Sequence, residues 1–181
     1  MNKAALAVCA TLALALVAAT AVTAEEGIPV RDCGTRGDPS SGTPMFFVRS
    51  GDVVAGPISF SSLKHAATRS SLGTRRPDGT WFRKSAAKVL WGRPATLGVP
   101  AEHRSFLSLG FAQTGRPSDA VRFDPCPPGT KMWGPGDRRL RRVTGFPGGF
   151  VIRKPGCYAV EVHVDGGRTH RVRIAFGYPC R

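Results

Sequence analysis

Gly and Pro punctuate nearly every interval between short apolar segments of this chain, and no other feature constrains the fold as much. A helix interior tolerates neither residue cheaply, Gly costing about 1 kcal/mol and Pro about 3 kcal/mol relative to Ala, whereas turns call for both. The 22 Gly and 15 Pro in 181 residues therefore exclude coiled coils, and the size excludes large multidomain enzymes. Strand-like segments are Met45–Arg49, Val53–Ile58, Trp81–Trp91, Ala95–Val99, Ser105–Gln113, Ala120–Phe123, Phe150–Arg153, Cys157–Val164 and Arg168–Phe176. Only Ser59–Ser71 has helix-like spacing, through Phe60, Leu63, Ala66 and Ala67. Many short strands at close spacing point to a sandwich or barrel. The expectation is an all-β fold, an immunoglobulin-like β-sandwich with one short helical segment over residues 45–181, preceded by an irregular Gly- and Pro-rich lead-in over 25–44. No tryptophan stands in the antibody position between two cysteines, which argues against antibody topology itself.

The most specific local prediction is a C-terminal hairpin. Tyr158, Val160, Val162 and Val164 share one parity of the first segment, and His170, Val172, Ile174 and Phe176 share one parity of the second, with Asp165-Gly166-Gly167 between them. Strand side chains alternate between faces, so a register slip of one residue would put the two apolar sets on opposite faces. A two-residue Gly166-Gly167 turn sets Val162 opposite Arg171 and mismatches them; a three-residue loop restores the match and places Glu161 across from Arg171 or Arg173.

Residues 1–24 read as a cleaved secretory leader: Lys3 supplies the positive start, Ala4 to Val22 an almost unbroken apolar run, and Val22-Thr23-Ala24 the small residues before a cut. Cys9 lies within that run. The four remaining cysteines, Cys33, Cys126, Cys157 and Cys180, are an even set in an exported chain and imply two disulfides. Zinc is disfavoured, because neither a Cys-x-x-Cys nor a His-x-x-x-His spacing occurs. Of the three possible pairings, Cys126–Cys157 with Cys33–Cys180 is favoured, since the second bridge ties the ends of the domain together.

Motifs for chemistry are sparse. Ser61-Ser62-Leu63-Lys64 satisfies the Ser-x-x-Lys arrangement in which lysine activates a serine, but its companion elements are missing; a small hydrolase using Ser61 and Lys64 is the catalytic alternative. His65, His103, His163 and His170 are scattered, Asp124 and Asp137 form no evident acid/base pair, and no Gly-x-Ser-x-Gly, Gly-x-Gly-x-x-Gly or phosphate-loop pattern occurs. Neither catalysis, metal nor cofactor is expected. The charge is the feature with functional potential: 26 Lys and Arg against 12 Asp and Glu give a formal charge of +14. Arg138, Arg139, Arg141 and Arg142 form a dense cluster, and Arg153, Lys154, Arg168, Arg171 and Arg173 follow. Guanidinium groups grip phosphate or carboxylate at two points. The expected partners are anionic cell-envelope polymers, lipid headgroups or extracellular DNA, bound through Arg138, Arg139, Arg141, Arg142, Arg171 and Arg173; sequence-specific nucleic-acid recognition is not expected. The competing reading is a structural domain whose charge serves solubility.

The strings Phe123-Asp124-Pro125-Cys126-Pro127-Pro128-Gly129, Gly145-Phe146-Pro147-Gly148-Gly149-Phe150, Pro155-Gly156-Cys157 and Phe176-Gly177-Tyr178-Pro179-Cys180 together resemble a pattern in uncharacterised secreted proteins of high-G+C Gram-positive bacteria. The resemblance implies no activity. The excess of Arg over Lys, 20 to 6, is compatible with a GC-rich coding sequence.

Overall fold

Short strands bounded by Gly and Pro are what the chain forms. The structure, a computed structural model, describes residues 27–38, 45–68, 71–133 and 136–181; the leader expected at 1–24 lies outside the described residues. In chain order the strands are β1 (Val30–Arg31), β2 (Val53–Ala55), β3 (Ile58–Phe60), β4 (Thr74–Arg75), β5 (Trp81–Lys84), β6 (Ala87–Leu90), β7 (Ala95–Gly98), β8 (Leu107–Leu109), β9 (Ala120–Phe123), β10 (Val143–Phe146), β11 (Gly149–Ile152), β12 (Gly156–Val164) and β13 (Thr169–Phe176). They make a five-stranded sheet, β1-β9-β7-β12-β13, and two four-stranded sheets, β10-β6-β3-β2 and β4-β5-β11-β8. The fold is thus predominantly β. All pairings are antiparallel except β1 with β9.

The two four-stranded sheets are halves of one bent ribbon. Val143 faces Leu90 and Phe146 faces Ala87 on one side of the bend, and Gly149 faces Lys84 and Ile152 faces Trp81 on the other, so a single register runs through both. Ser85-Ala86 and Pro147-Gly148 sit at the corner, where Pro147 has no N–H to give the ladder and Ser85 N–H donates to Gly148 O at 2.9 Å. Gly149 is obligatory there, because a Cβ would lie 2.1 Å from Arg83 O. The segment expected as one strand, Trp81–Trp91, is therefore two strands in two sheets.

One apolar core joins all three sheets. Phe150 of β11 packs against Phe60 of β3 at 5.5 Å between ring centroids, Phe111 at 5.7 Å and Phe176 of β13 at 5.4 Å. Phe123 of β9 meets Phe111 at 5.5 Å and Phe146 of β10 at 5.2 Å. These six rings are fully buried.

The C-terminal hairpin has the expected register: Glu161 lies opposite Arg171 and Val162 opposite His170, with residues 165–167 as the loop. Other expectations are corrected. Met45–Arg49 forms no strand; its alternation is real, with Phe46 and Val48 exposed, but Gly37 N–H already takes Gly145 O at the edge of β10. Val53–Ile58 is a hairpin, β2-β3, turned at Gly56-Pro57. The helix expected over Ser59–Ser71 is a 3-10 turn at Leu63–Ala67, because β3 claims Phe60 and the buried pair Leu63 and Ala66 is spaced by three. From the lead-in, Val30–Arg31 joins the five-stranded sheet.

The expected disulfide pairing is also corrected: the bridges are Cys33–Cys126 and Cys157–Cys180, each with Cα atoms 5.2 Å apart. The parallel register of β1 on β9 sets Arg31 beside Phe123 and carries Cys33 to Cys126. Cys157 starts β12 beside the end of β13, and the Gly177-Tyr178-Pro179 turn brings Cys180 back onto it. Loop entropy favoured the end-to-end bridge, but strand pairing decides which sulfurs meet.

Candidate functional site: a cationic end of the fold

The arginine cluster sits on a loop held by its own hydrogen bonds. Met132 N–H donates to Arg138 O at 2.8 Å, Leu140 N–H to Thr130 O at 2.9 Å and Gly129 N–H to Leu140 O at 2.9 Å. Leu140 is buried and anchors the loop, leaving Arg139, Arg141 and Arg142 exposed and Arg138 half-buried. Arg36 clamps the far side: it pairs with Asp38 at 3.0 Å, donates to Lys131 O at 2.8 Å and lies 4.4 Å above the Trp133 ring. Arg139 is partly neutralised by Asp137 at 3.2 Å. Among the described residues, Arg138, Arg141 and Arg142 make no ion pair.

Strand register then carries this charge to one end of the molecule. Trp91 N–H donates to Arg142 O at 2.8 Å, extending the β6–β10 ladder by one step. Trp91 is 49% exposed, and Arg93 follows two residues on. Arg93 lines a cleft of about 430 Å³ shared with Arg168 and His170, with Gly56, Pro57, Leu90 and Val164 as its apolar walls. Three connections converge there: the β2–β3 turn, the β6–β7 loop and the β12–β13 loop. Gly56 has φ +53, and of the primed hairpin turns only type II′ also accepts proline second. Leu90 N–H donates to Pro57 O at 3.1 Å, and Asp165 N–H to Pro94 O at 3.3 Å.

Asp165 is the acid nearest the cleft in sequence, and it is engaged elsewhere. Arg122 of β9 grips it at both oxygens, at 3.0 and 2.6 Å. That grip holds the Asp165 carboxyl below the usual carboxylate range and raises Arg122 above its ordinary value, with Asp124 adding to the latter.

The six arginines expected to act together are divided by the structure. Arg138, Arg139, Arg141 and Arg142 lie before β10, whereas Arg171 and Arg173 project from the outward face of β13, opposite in parity to the buried Ile174. Arg171 is paired with Glu102 at 2.7 Å and Glu161 at 3.2 Å, and Arg173 donates to Arg181 O at 2.9 Å. Residues the sequence reading passed over as site members are Trp91, Arg93 and His170; the available signal was a run of tryptophan and arginine beside turn residues.

The remaining motifs do not assemble. Ser61 is tied through its main chain, N–H to Ala86 O at 3.1 Å and carbonyl to Ser85 Oγ at 3.0 Å, and no hydrogen bond joins its hydroxyl to the exposed Lys64. His65 lies over Gly51, His103 meets the Tyr158 ring at 5.4 Å, and His163 contacts Thr169 at 2.9 Å. Among the described residues no group of three or more His, Cys, Asp or Glu gathers as a metal site. A buried ion pair does exist, between Lys88 of β6 and Asp52, with Ser59 fully buried beside it. Comparison with protein-family models, with curated proteins and with solved structures finds no match.

Proposed function

We propose that this chain is an exported, non-catalytic β module of the cell envelope that holds an anionic polymer along its arginine-rich end. The reading treats the bent ribbon's two sheets as one layer against the five-stranded sheet, an immunoglobulin-like sandwich in outline. It also groups the chain with the secreted proteins of high-G+C Gram-positive bacteria that its Cys, Gly and Pro strings resemble. Two disulfides, with no helix among the described residues long and apolar enough to cross a membrane, are compatible with such a location.

The observation that carries the reading is the set of guanidinium groups without an ion pair among the described residues at one end: Arg141 and Arg142 exposed, Arg138 beside them, and Arg93 two residues beyond Trp91. An exposed arginine already paired, such as Arg171, has little left to offer a polyanion; an unpaired one releases counterions when it meets phosphate. Short duplex DNA serves as a defined polyphosphate probe. Each phosphate contact contributes about 0.9 to the slope of log affinity against log salt. The Arg138→Gln/Arg141→Gln/Arg142→Gln variant is expected to lower that slope by about 2 to 3, while Arg171→Gln/Arg173→Gln changes it little. An unchanged slope in the first variant, or salt-independent binding of the parent protein, would overturn the proposal.

A further inference from the structure

We infer that the cleft between the β2–β3 turn and the β12–β13 loop is a seat for a single phosphate group carried on a small polyol or sugar unit. The inference rests on the reading of this end as anion-binding and names the chemistry it takes. Arg93 and Arg168 enter the cleft from two different connections, with His170 as a third nitrogen-bearing wall. Neither arginine makes an ion pair or a side-chain hydrogen bond with another described residue, which leaves N–H donors for a ligand. Guanidinium forks match phosphate oxygens two at a time.

The backbone that carries them is held before any ligand arrives. Arg93 precedes Pro94, which confines its backbone to the extended region. The Pro94 carbonyl accepts Asp165 N–H at 3.3 Å, stitching the loop that carries Arg93 to the loop that leads to Arg168. Arg122 meanwhile holds Asp165 at both oxygens, which draws the carboxylate nearest to the cleft in sequence away from Arg168. A backbone ordered in advance loses less freedom on binding.

The walls set the ligand's size and character. A volume of about 430 Å³ lies within the range of small-molecule sites, roughly 300–1,000 Å³, and exceeds what a bare ion needs. Gly56, Pro57, Leu90 and Val164 offer an apolar surface to the carbon skeleton. A phosphorylated polyol unit can meet both halves: anion on the arginines, the C–H face of the skeleton on the walls, with its hydroxyls turned to water.

The test is a ³¹P line-broadening titration of the intact, disulfide-bonded protein with three probes: glycerol phosphate, inorganic phosphate, and glycerol phosphate in the presence of excess glycerol. Glycerol phosphate is expected to broaden at lower protein concentration than inorganic phosphate, and excess glycerol to leave it bound. Arg93→Gln/Arg168→Gln is expected to weaken binding about a hundredfold or more, one charged hydrogen bond lost at each arginine accounting for roughly tenfold. Arg168→Glu, a single surface change, is expected to abolish broadening with unchanged thermal unfolding. Inorganic phosphate binding as tightly as the ester would overturn the polyol part of the inference, and undiminished broadening in both variants would overturn all of it. The broader reading fails separately: loss of salt-dependent DNA binding with intact ester binding removes the polymer proposal and leaves the cleft.

Discussion

Replacing Lys88 by Met should expose how the outer side of the β10-β6-β3-β2 sheet is held. Lys88 stands on β6 opposite Ser59 and Gly145, is 5% exposed, and pairs with Asp52, which is 3% exposed. The carboxylate also accepts Arg49 N–H at 2.7 Å, Ser62 N–H at 2.9 Å and the Ser59 hydroxyl at 3.4 Å. Methionine fills a similar volume but leaves the charge buried with only neutral donors. Breaking a buried pair from one side costs about 3–5 kcal/mol; the two backbone donors place the expectation near the low end, about 3 kcal/mol. That is a large share of the roughly 5–15 kcal/mol available to a domain.

The pH dependence supplies an independent check with a definite sign. Burial pushes the Asp52 carboxyl up, but the Lys88 ammonium and the Ser62 and Arg49 N–H groups outweigh it, so the folded value lies below the ordinary one. A depressed carboxyl contributes stability that is present above its unfolded value, about 3.9, and is lost as pH falls through the folded value. Removing Lys88 raises the folded value, so the gap between parent and Lys88→Met should narrow as the pH is lowered below about 4. Urea unfolding at pH 7 and at pH 3 measures both quantities. A gap under about 0.5 kcal/mol at pH 7, or one that does not narrow in acid, would refute the reasoning. The Asp52→Asn/Lys88→Met double variant should recover most of the loss, because no charge is then left buried.

Two further outcomes follow from packing and cross-links. Non-reducing peptide mapping should recover Cys33–Cys126 and Cys157–Cys180; with sequence separations of 93 and 23, the chain-entropy model gives about 4.6 and 3.4 kcal/mol for removing each pair with serine. Chemical denaturation should rank the two losses in that order. Gly149→Ala forces a methyl into the Arg83 carbonyl at the ribbon corner, and a thermal melt should show a loss of about 2 kcal/mol or more, whereas Gly166→Ala at the open tip of the β12–β13 loop, with nothing near its Cβ but φ +62, should cost about 1 kcal/mol.

What the sequence made legible was local. Period-two parity in Cys157–Val164 and Arg168–Phe176 determines the faces, and an odd-length loop with them, since a slip of one residue would put Val160 and Val162 on the face opposite Ile174. Ala120–Phe123 was likewise readable from its own alternation and matches β9 end to end. The Gly56-Pro57 dipeptide is a turn signal within Val53–Ile58, but the apolar residues on either side of it give the segment the look of one continuous strand. The bend at Ser85-Ala86 was not readable at all, because its cause is Pro147-Gly148, some sixty positions away on the partner strand. The same non-locality explains the cysteines and the site. Trp91 and Arg142 are remote in sequence and meet only because the β6–β10 ladder runs one pair past its ends, and Arg171 loses its availability to Glu102, a residue its own strand does not contain.

The claim that anions are held at one end rather than over the whole basic surface is tested most directly by amide chemical-shift mapping during titration with a short DNA duplex. The expected perturbations fall on residues 91–93, 138–142 and 166–170 and fade as salt is raised. Perturbations concentrated instead on the outward face of β13 around Arg171 and Arg173, or spread evenly over every exposed arginine, would contradict it.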